Sequence, residues 1–354
     1  MSGPPVDAAA LRFVLVCGTT ATARIDGISA AGASSDLLAH TPAADAAILA
    51  RGRPPDGVVP VSPTGCPTPA VVTRAAAELL AFDVDVLDAG AARPVTVADR
   101  VLSDRAGRDV REPVAVPDVE TLLSRARAYG RGLDADRVVL AETVPGGTTT
   151  AMATLTALGE RPAVSSSLPE NPVGRKRRVV DAALEASGLA PGDGSVDPLA
   201  VLRSVADPAL VGVVGVALGT LDRGGRVTLA GGTQLCAAAA LVRAFGVDAP
   251  LSLATTSFVA ADESADVRGL ARAADVDLTV TDPAFDAVSH PMTDAYRRGE
   301  AKEGVGMGGA LAMAAGDVPG IEPTASVADV RTRALDVYDR LIAAAPDGHP
   351  AADG

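Results

Sequence analysis

Residues 142–150 read Glu-Thr-Val-Pro-Gly-Gly-Thr-Thr-Thr, an acid followed by two glycines and three hydroxyls. They join an apolar strand-like run, Val138–Leu140, to a helical stretch from Thr149 to Leu158 that closes at Gly159. Glycines at a helix start let a ligand approach the backbone, and the first turn offers unpaired N–H groups at the positive end of the dipole. Gly146, Gly147, Thr148 and Thr149 are thus a candidate phosphate cradle, with the acid Glu142 at the turn. A glycine turn with a threonine N-cap would explain the same residues without any ligand. What favours a site is a second copy of the pattern. Residues 227–234, Val-Thr-Leu-Ala-Gly-Gly-Thr-Gln, again run from strand to helix and set Gly231, Gly232, Thr233 and Gln234 at the turn. Two such units point to one small-molecule site at the strand ends of an α/β sheet.

A cationic run, Arg-Lys-Arg-Arg at 175–178, stands out in an acidic chain whose only lysines are Lys176 and Lys302. Lys176 reads either as a phosphate or carboxylate clamp or as part of a solvated helix face. His40, His290 and His349 are scattered and show no ligand pairing, and Cys17, Cys66 and Cys236 have no zinc spacing and give no disulfide framework. No metal and no cofactor are expected.

The elements that would carry these residues follow from hydrophobic periodicity. Strand-like runs occur at Phe13–Val16, Val84–Leu87, Val138–Leu140, Leu210–Leu218, Val227–Ala230, Leu251–Ala254 and Leu278–Val280. Helical spacing fills 70–81, 119–130, 176–187 and 234–245, and a last helix over 326–343 starts at a Ser326 cap. The alternation predicts an α/β fold with a mostly parallel, doubly wound, Rossmann-like sheet. Long connections, 18–69, 88–118, 163–175 and 283–309, read as functional loops, and the ends 1–7 and 346–354 as frayed.

Composition narrows the partners. The net charge of −13 and the 2% of aromatic residues leave no basic stripe or stacking platform for nucleic acid. No apolar run reaches 18 residues and no basic region precedes the first apolar stretch, so neither a membrane span nor a signal peptide is expected, and the cytoplasm is the expected compartment. Thirty-three Asp, 11 Glu, 29 Arg and two Lys fit a salt-rich cytoplasm, where screening removes self-repulsion; a GC-rich genome gives the same bias.

Taken together the segments resemble the archaeal branch of the nicotinate-nucleotide:dimethylbenzimidazole phosphoribosyltransferase family, which makes the lower nucleotide loop of cobalamin. The resemblance runs from Phe13 to about Met313. It rests on Gly27-Ile-Ser-Ala-Ala-Gly-Ala, the Glu142–Thr150 loop, Ser165-Ser-Ser-Leu-Pro-Glu-Asn-Pro, Gly231-Gly-Thr-Gln and Lys302-Glu-Gly-Val-Gly-Met-Gly-Gly-Ala-Leu-Ala-Met, in that order. It implies a single α/β domain over 8–345 with a small annex from terminal segments, a homodimer, and nicotinate mononucleotide and a nucleobase-like heterocycle as ligands. It also implies that Glu303 is the general base, that Glu142 is the second acid, and that Ser167, Leu168 and Lys176 contact substrate. Ser29 reads equally as a wall of the base pocket or as a plain serine turn.

The reaction so implied moves phosphoribosyl from nicotinate mononucleotide to a benzimidazole-type base or adenine, giving an α-ribazole-5′-phosphate-type nucleotide and nicotinate. The leaving pyridinium departs neutral at its ring and needs no acid, while the incoming N–H heterocycle must lose a proton. One carboxylate suffices, and burial among glycines would make Glu303 the better acceptor. Two departures from the bacterial pattern are visible. The Glu303 run is two residues longer, and Cys17-Gly-Thr-Thr stands where a Cys/Ala-Asp-His-Gly stretch follows the first strand. Small groups there predict a pocket that reads a flat ring by shape and accepts several bases. Rival readings are another nucleotide-dependent ribosyl- or phosphotransferase, or a binder without chemistry. A kinase is disfavoured, because no Gly-Lys-Ser/Thr follows the glycines.

Overall fold

The computed structural model describes residues 11–29, 35–55, 57–62, 65–192 and 197–344. The expected frayed ends, 1–7 and 346–354, and part of the Gly27–Ala33 stretch lie outside these residues.

Among the described residues seven strands form one sheet: β1 (Leu11–Cys17), β2 (Val84–Asp88), β3 (Arg100–Val101), β4 (Arg137–Thr143), β5 (Arg226–Ala230), β6 (Leu251–Thr256) and β7 (Asp277–Thr281). Their order is β3-β2-β1-β4-β5-β6-β7 and every pairing is parallel. The winding reverses between β1 and β4, and open sheets of this kind bind ligands in the crevice at that switch point. Side chains alternate across the pleat into two cores. Phe13, Leu15 and Cys17 of β1 face one, and Val14 and Val16 face the other. Burial on both faces explains why these strands read as unbroken apolar runs.

One face is covered by α3 (Val119–Gly132), α4 (Gly147–Leu158), α5 (Val173–Ser187), α6 (Pro198–Val205), α7 (Pro208–Asp222), α8 (Thr233–Ala244) and α10 (Val267–Ala273). The other carries α1 (Ser35–Arg51), α2 (Ala70–Leu80), α11 (Pro291–Arg297), α12 (Met307–Ala315) and α13 (Val327–Ala343), and a single turn, α9 (Ser257–Ala260), follows β6. Ser326 caps α13 through a capping box with Asp329. Alanine-rich faces bring these helices close to the sheet, which fills the core with few aromatics.

One expected strand is corrected. Leu210–Leu218 lies within α7, whose start is fixed by Asp207 accepting from Leu210 N at 2.9 Å and by Pro208 in the first turn. The helix is buried all round, so its periodicity is silent, and its length rather than its composition separates it from a strand. Its glycines seat it on α3: a Cβ at Gly219 would lie 2.1 Å from the Arg127 carbonyl oxygen. Regular elements also interrupt the expected long loops, among them α1 in 18–69, β3 in 88–118 and α11 in 283–309.

Candidate active site

The cleft opens beyond the carboxyl ends of β4, β5 and β6, where a small number of polar groups converge between apolar walls. The chain turn after β4 forms one wall. Gly146 caps α4 in the left-handed region with φ 82°, and a Cβ there would meet Ala23 Cα at 2.9 Å, so only glycine fits. Gly147 and Thr148 line the cleft, where they open the first turn of α4. The parallel turn after β5 is its neighbour. Gly232, Thr233 and Gln234 line the same cleft, and a Cβ at Gly147 would fall 2.0 Å from Gln234 Nε2. The two turns thus touch across adjacent strands, and Thr233 Oγ1 accepts from Ser165 N at 3.0 Å, tying in the 165–168 loop.

Glu303 sits in a backbone of unusual conformation just before α12. Ala301, Gly304, Val305 and Gly306 all have positive φ, and at Val305 (φ 51°) a β-branched side chain is held in that region. Two long-range bonds fix it: Val305 N donates to the Glu142 carbonyl at 3.1 Å, and Thr73 Oγ1 donates to the Val305 carbonyl at 2.9 Å. Glu303 Oε1 accepts from Gly304 N at 3.1 Å and from Gly308 N at 3.0 Å, and Oε2 accepts from Gly308 N at 3.1 Å. Gly308 permits this approach, since a Cβ there would meet Glu303 Oε2 at 2.7 Å. Burial pushes the carboxyl up to about 7, and the backbone N–H donors at 308 and 304 restrain the rise.

Glu142 lines the cleft at the end of β4. Burial, then the charges of Asp207, Glu303 and Asp45, push it up to about 8. Asp207 itself accepts from Thr150 Oγ1 at 2.5 Å behind the α4 turn. The site therefore sets carboxyls that titrate near neutrality beside the first turn of α4, an arrangement suited to proton abstraction. No group of acids, histidines and cysteines that could hold a metal occurs among the described residues.

The remaining sequence-predicted residues divide. Ser29 and Ser167 line the cleft, while Thr149, Leu168, Lys176 and Gly231 do not. Thr149 is fully buried with its N–H bonded to the Gly146 carbonyl at 2.9 Å, and Gly231 packs against Leu235. The cation expected as a clamp, Lys176, lies behind the cleft wall. Lys176 is 0% exposed and donates to the Ser165 carbonyl at 2.7 Å, while Arg177 and Arg178 face solvent. Burial, the charge of Lys302 and the opposing charge of Asp262 leave its amine at about 7.

The cation on the cleft wall is Lys302, which sequence reasoning passed over. Its Nζ donates to the Ser166 and Leu168 carbonyls at 3.1 and 3.0 Å and lies 3.4 Å from Asp262 Oδ2. Both lysines of the chain therefore clasp one loop, 165–168. Their rarity was the available signal. Asp45 of α1 was also missed. It is a lone acid in an alanine-rich stretch, and it lines the cleft beside Thr68.

Comparisons with known proteins bear on this arrangement. A UPF0284 protein of Halobacterium salinarum is 54% identical over 345 residues, covering 96% of this chain and all of its own length. The chain belongs to the UPF0284 family. A UPF0284 protein of Thermococcus gammatolerans is 39% identical over 337 residues, 93% of this chain and 98% of that protein. Two crystal structures from Thermus thermophilus share the fold. One, described as a nicotinate-nucleotide-dimethylbenzimidazole phosphoribosyltransferase, has a TM-score of 0.59 at 18% identity, covering 95% of this chain and 86% of the other. The other, described as CobT, has a TM-score of 0.60 at 19% identity and covers 96% and 87%. The UPF0284 chain thus resembles that family in fold as it does in motif, and no family model matches it.

Proposed function

We propose that the chain transfers phosphoribosyl from nicotinate mononucleotide to a nitrogen heterocycle of the benzimidazole or adenine kind, as in assembly of a cobalamin-type lower nucleotide. The observation that carries this reading is Glu303, a half-buried carboxyl raised to about 7 and held by glycine N–H groups at a cleft whose other wall is the start of α4. The ring nitrogen attacks C1′ of the ribose as the C1′–N bond to the pyridinium breaks, and that bonding pair neutralises the departing ring. Glu303 takes the proton from the incoming N–H. In-line attack inverts C1′, so a β-nucleotide donor yields an α-nucleotide. The 5′-phosphate rests on backbone N–H groups at the α4 turn, near Lys302. No helix among the described residues is long and apolar enough to cross a membrane. A dimer is the assembly implied by the resemblance, and light scattering tests it.

The test is turnover. Purified chain incubated with nicotinate mononucleotide and each base should release nicotinate and form an α-nucleotide, identified by mass spectrometry and by its anomeric proton resonance. Release of nicotinate with water alone as acceptor would replace transfer by hydrolysis, and no release with any base would refute the proposal.

A further inference from the structure

Asp45 is an acid that the transfer chemistry does not use. It is 2% exposed and lines the cleft on the side where α1 meets residues 60–69. Thr143 Oγ1 donates to its Oδ2 at 2.7 Å, while Oδ1 is buried and has no hydrogen-bond partner. Burial dominates and holds the carboxyl up at about 6, against the lowering by the Thr68 and Thr143 hydroxyls. At neutral pH the group is therefore mostly an anion, an acceptor with one oxygen unused.

Much of the wall around it offers no donor, although the hydroxyls of Thr41, Ser62 and Thr68 also line the cleft. Pro60, Pro67 and Pro69 line this part of the cleft and have no backbone N–H. Val61 adds an apolar surface, and the Cys66 thiol is spent on the Pro67 carbonyl at 3.7 Å. Flat apolar walls with one unpaired acceptor form a complement to a flat ring that carries an N–H at its edge. The shape-only pocket expected from the sequence lacked such a reader.

We propose that Asp45 selects the incoming base, accepting a hydrogen bond from an exocyclic amino group, so that an aminopurine such as adenine is preferred to benzimidazole and dimethylbenzimidazole. The inference rests on the transfer reading above and names the substrate class within it. Benzimidazoles present only C–H or methyl groups at the edge away from the reacting nitrogens and would leave the Asp45 oxygen unpaired in a dry pocket. A buried polar group so stranded penalises the wrong ligand far more than a misfit methylene does.

The experiment is a competition between equimolar adenine and benzimidazole, with nicotinate mononucleotide, on the unaltered chain and on Asp45→Ala. The expected result is an adenine preference of roughly 100-fold or more that falls within about tenfold in Asp45→Ala, with benzimidazole turnover retained. Should Asp45→Ala fail to fold, the double variant Asp45→Leu with Thr143→Val removes both partners at similar volume and should show the same loss of preference. Equal use of the two bases, a benzimidazole preference, or an adenine preference that survives the substitution would each overturn the assignment. If no base is ribosylated, the transfer reading fails separately. Calorimetric binding of adenine and benzimidazole then decides Asp45 alone: selective adenine binding lost in Asp45→Ala supports it, and its absence overturns it.

Discussion

Glu303→Gln isolates the proposed general base with little structural damage. The amide keeps one oxygen for Gly308 N, which donates to both carboxylate oxygens at 3.0 and 3.1 Å, so the loop geometry and donor binding should survive. What is lost is a proton acceptor. General-base catalysis contributes about 10²–10⁴-fold, so turnover should fall by roughly 100-fold or more, equivalent to about 2.7 kcal/mol of transition-state stabilisation. With the carboxyl at about 7, about a tenth of the molecules carry the base form at pH 6, about half at pH 7 and about nine-tenths at pH 8. The kcat/KM of the unaltered chain should therefore rise with unit slope below pH 7 and level off above pH 8. In Glu303→Gln the residual rate should be flat across the same range. The assay is nicotinate release under both limiting and saturating donor, with donor affinity measured by calorimetry. A variant within tenfold of normal turnover, or a pH limb unchanged by the substitution, would refute the assignment.

Other expectations follow from the same geometry. Gly147→Ala would drive a methyl group into Gln234 and Val144, and should raise KM for nicotinate mononucleotide by at least about tenfold while the fold persists; an unchanged KM removes the phosphate from the α4 turn. Asp45, Glu142 and Glu303 are raised to about 6, 8 and 7, so the folded state holds more protons than the unfolded one across that window. Their stabilising contribution is full at low pH and is lost as pH rises through those values, so melting temperature should fall between pH 5 and pH 7. Lys176, lowered to about 7, acts in the opposite sense only above pH 7. A melt that rises between pH 5 and pH 7 contradicts the upward shift of these acids. With a net charge of −13, melting temperature should climb by roughly 10 °C or more from low to molar salt, and an unchanged melt would leave genome composition as the source of the acidic bias.

Much of the frame was legible because parallel strands buried on both faces announce themselves as apolar runs, and because glycine marks turns that no other residue can make. Gly146 is an example, since its φ of 82° and its contact with Ala23 both demand it. Helix α7 misled because an all-buried helix has no polar face to set its period. Asp45 was hidden for a different reason. A helix with Pro42 inside it lay within a stretch rich in Gly, Ser, Thr and Pro, and local composition outweighed the alanine run that carries the acid. The burial of Lys176 was not legible because neighbours in sequence face different ways on a helix. Three arginines stay at the surface while the lysine between them turns inward.

The two buried lysines also make this chain a reporter of its own breathing. Every other side-chain cation is an arginine, so an amine-directed reagent meets, beyond a terminal amine, only the Lys176 and Lys302 ammonium groups, at 0% and 7% exposure. Acylation must wait until the 165–168 loop lets go of them. When that opening is fast compared with the reagent, the modification rate measures the free energy of releasing the loop, much as amide exchange measures local unfolding. Mass spectrometry of the whole chain would count the adducts, and their slowing when a ligand occupies the cleft would give the binding energy transmitted to that loop, with no engineered label and no assay of turnover.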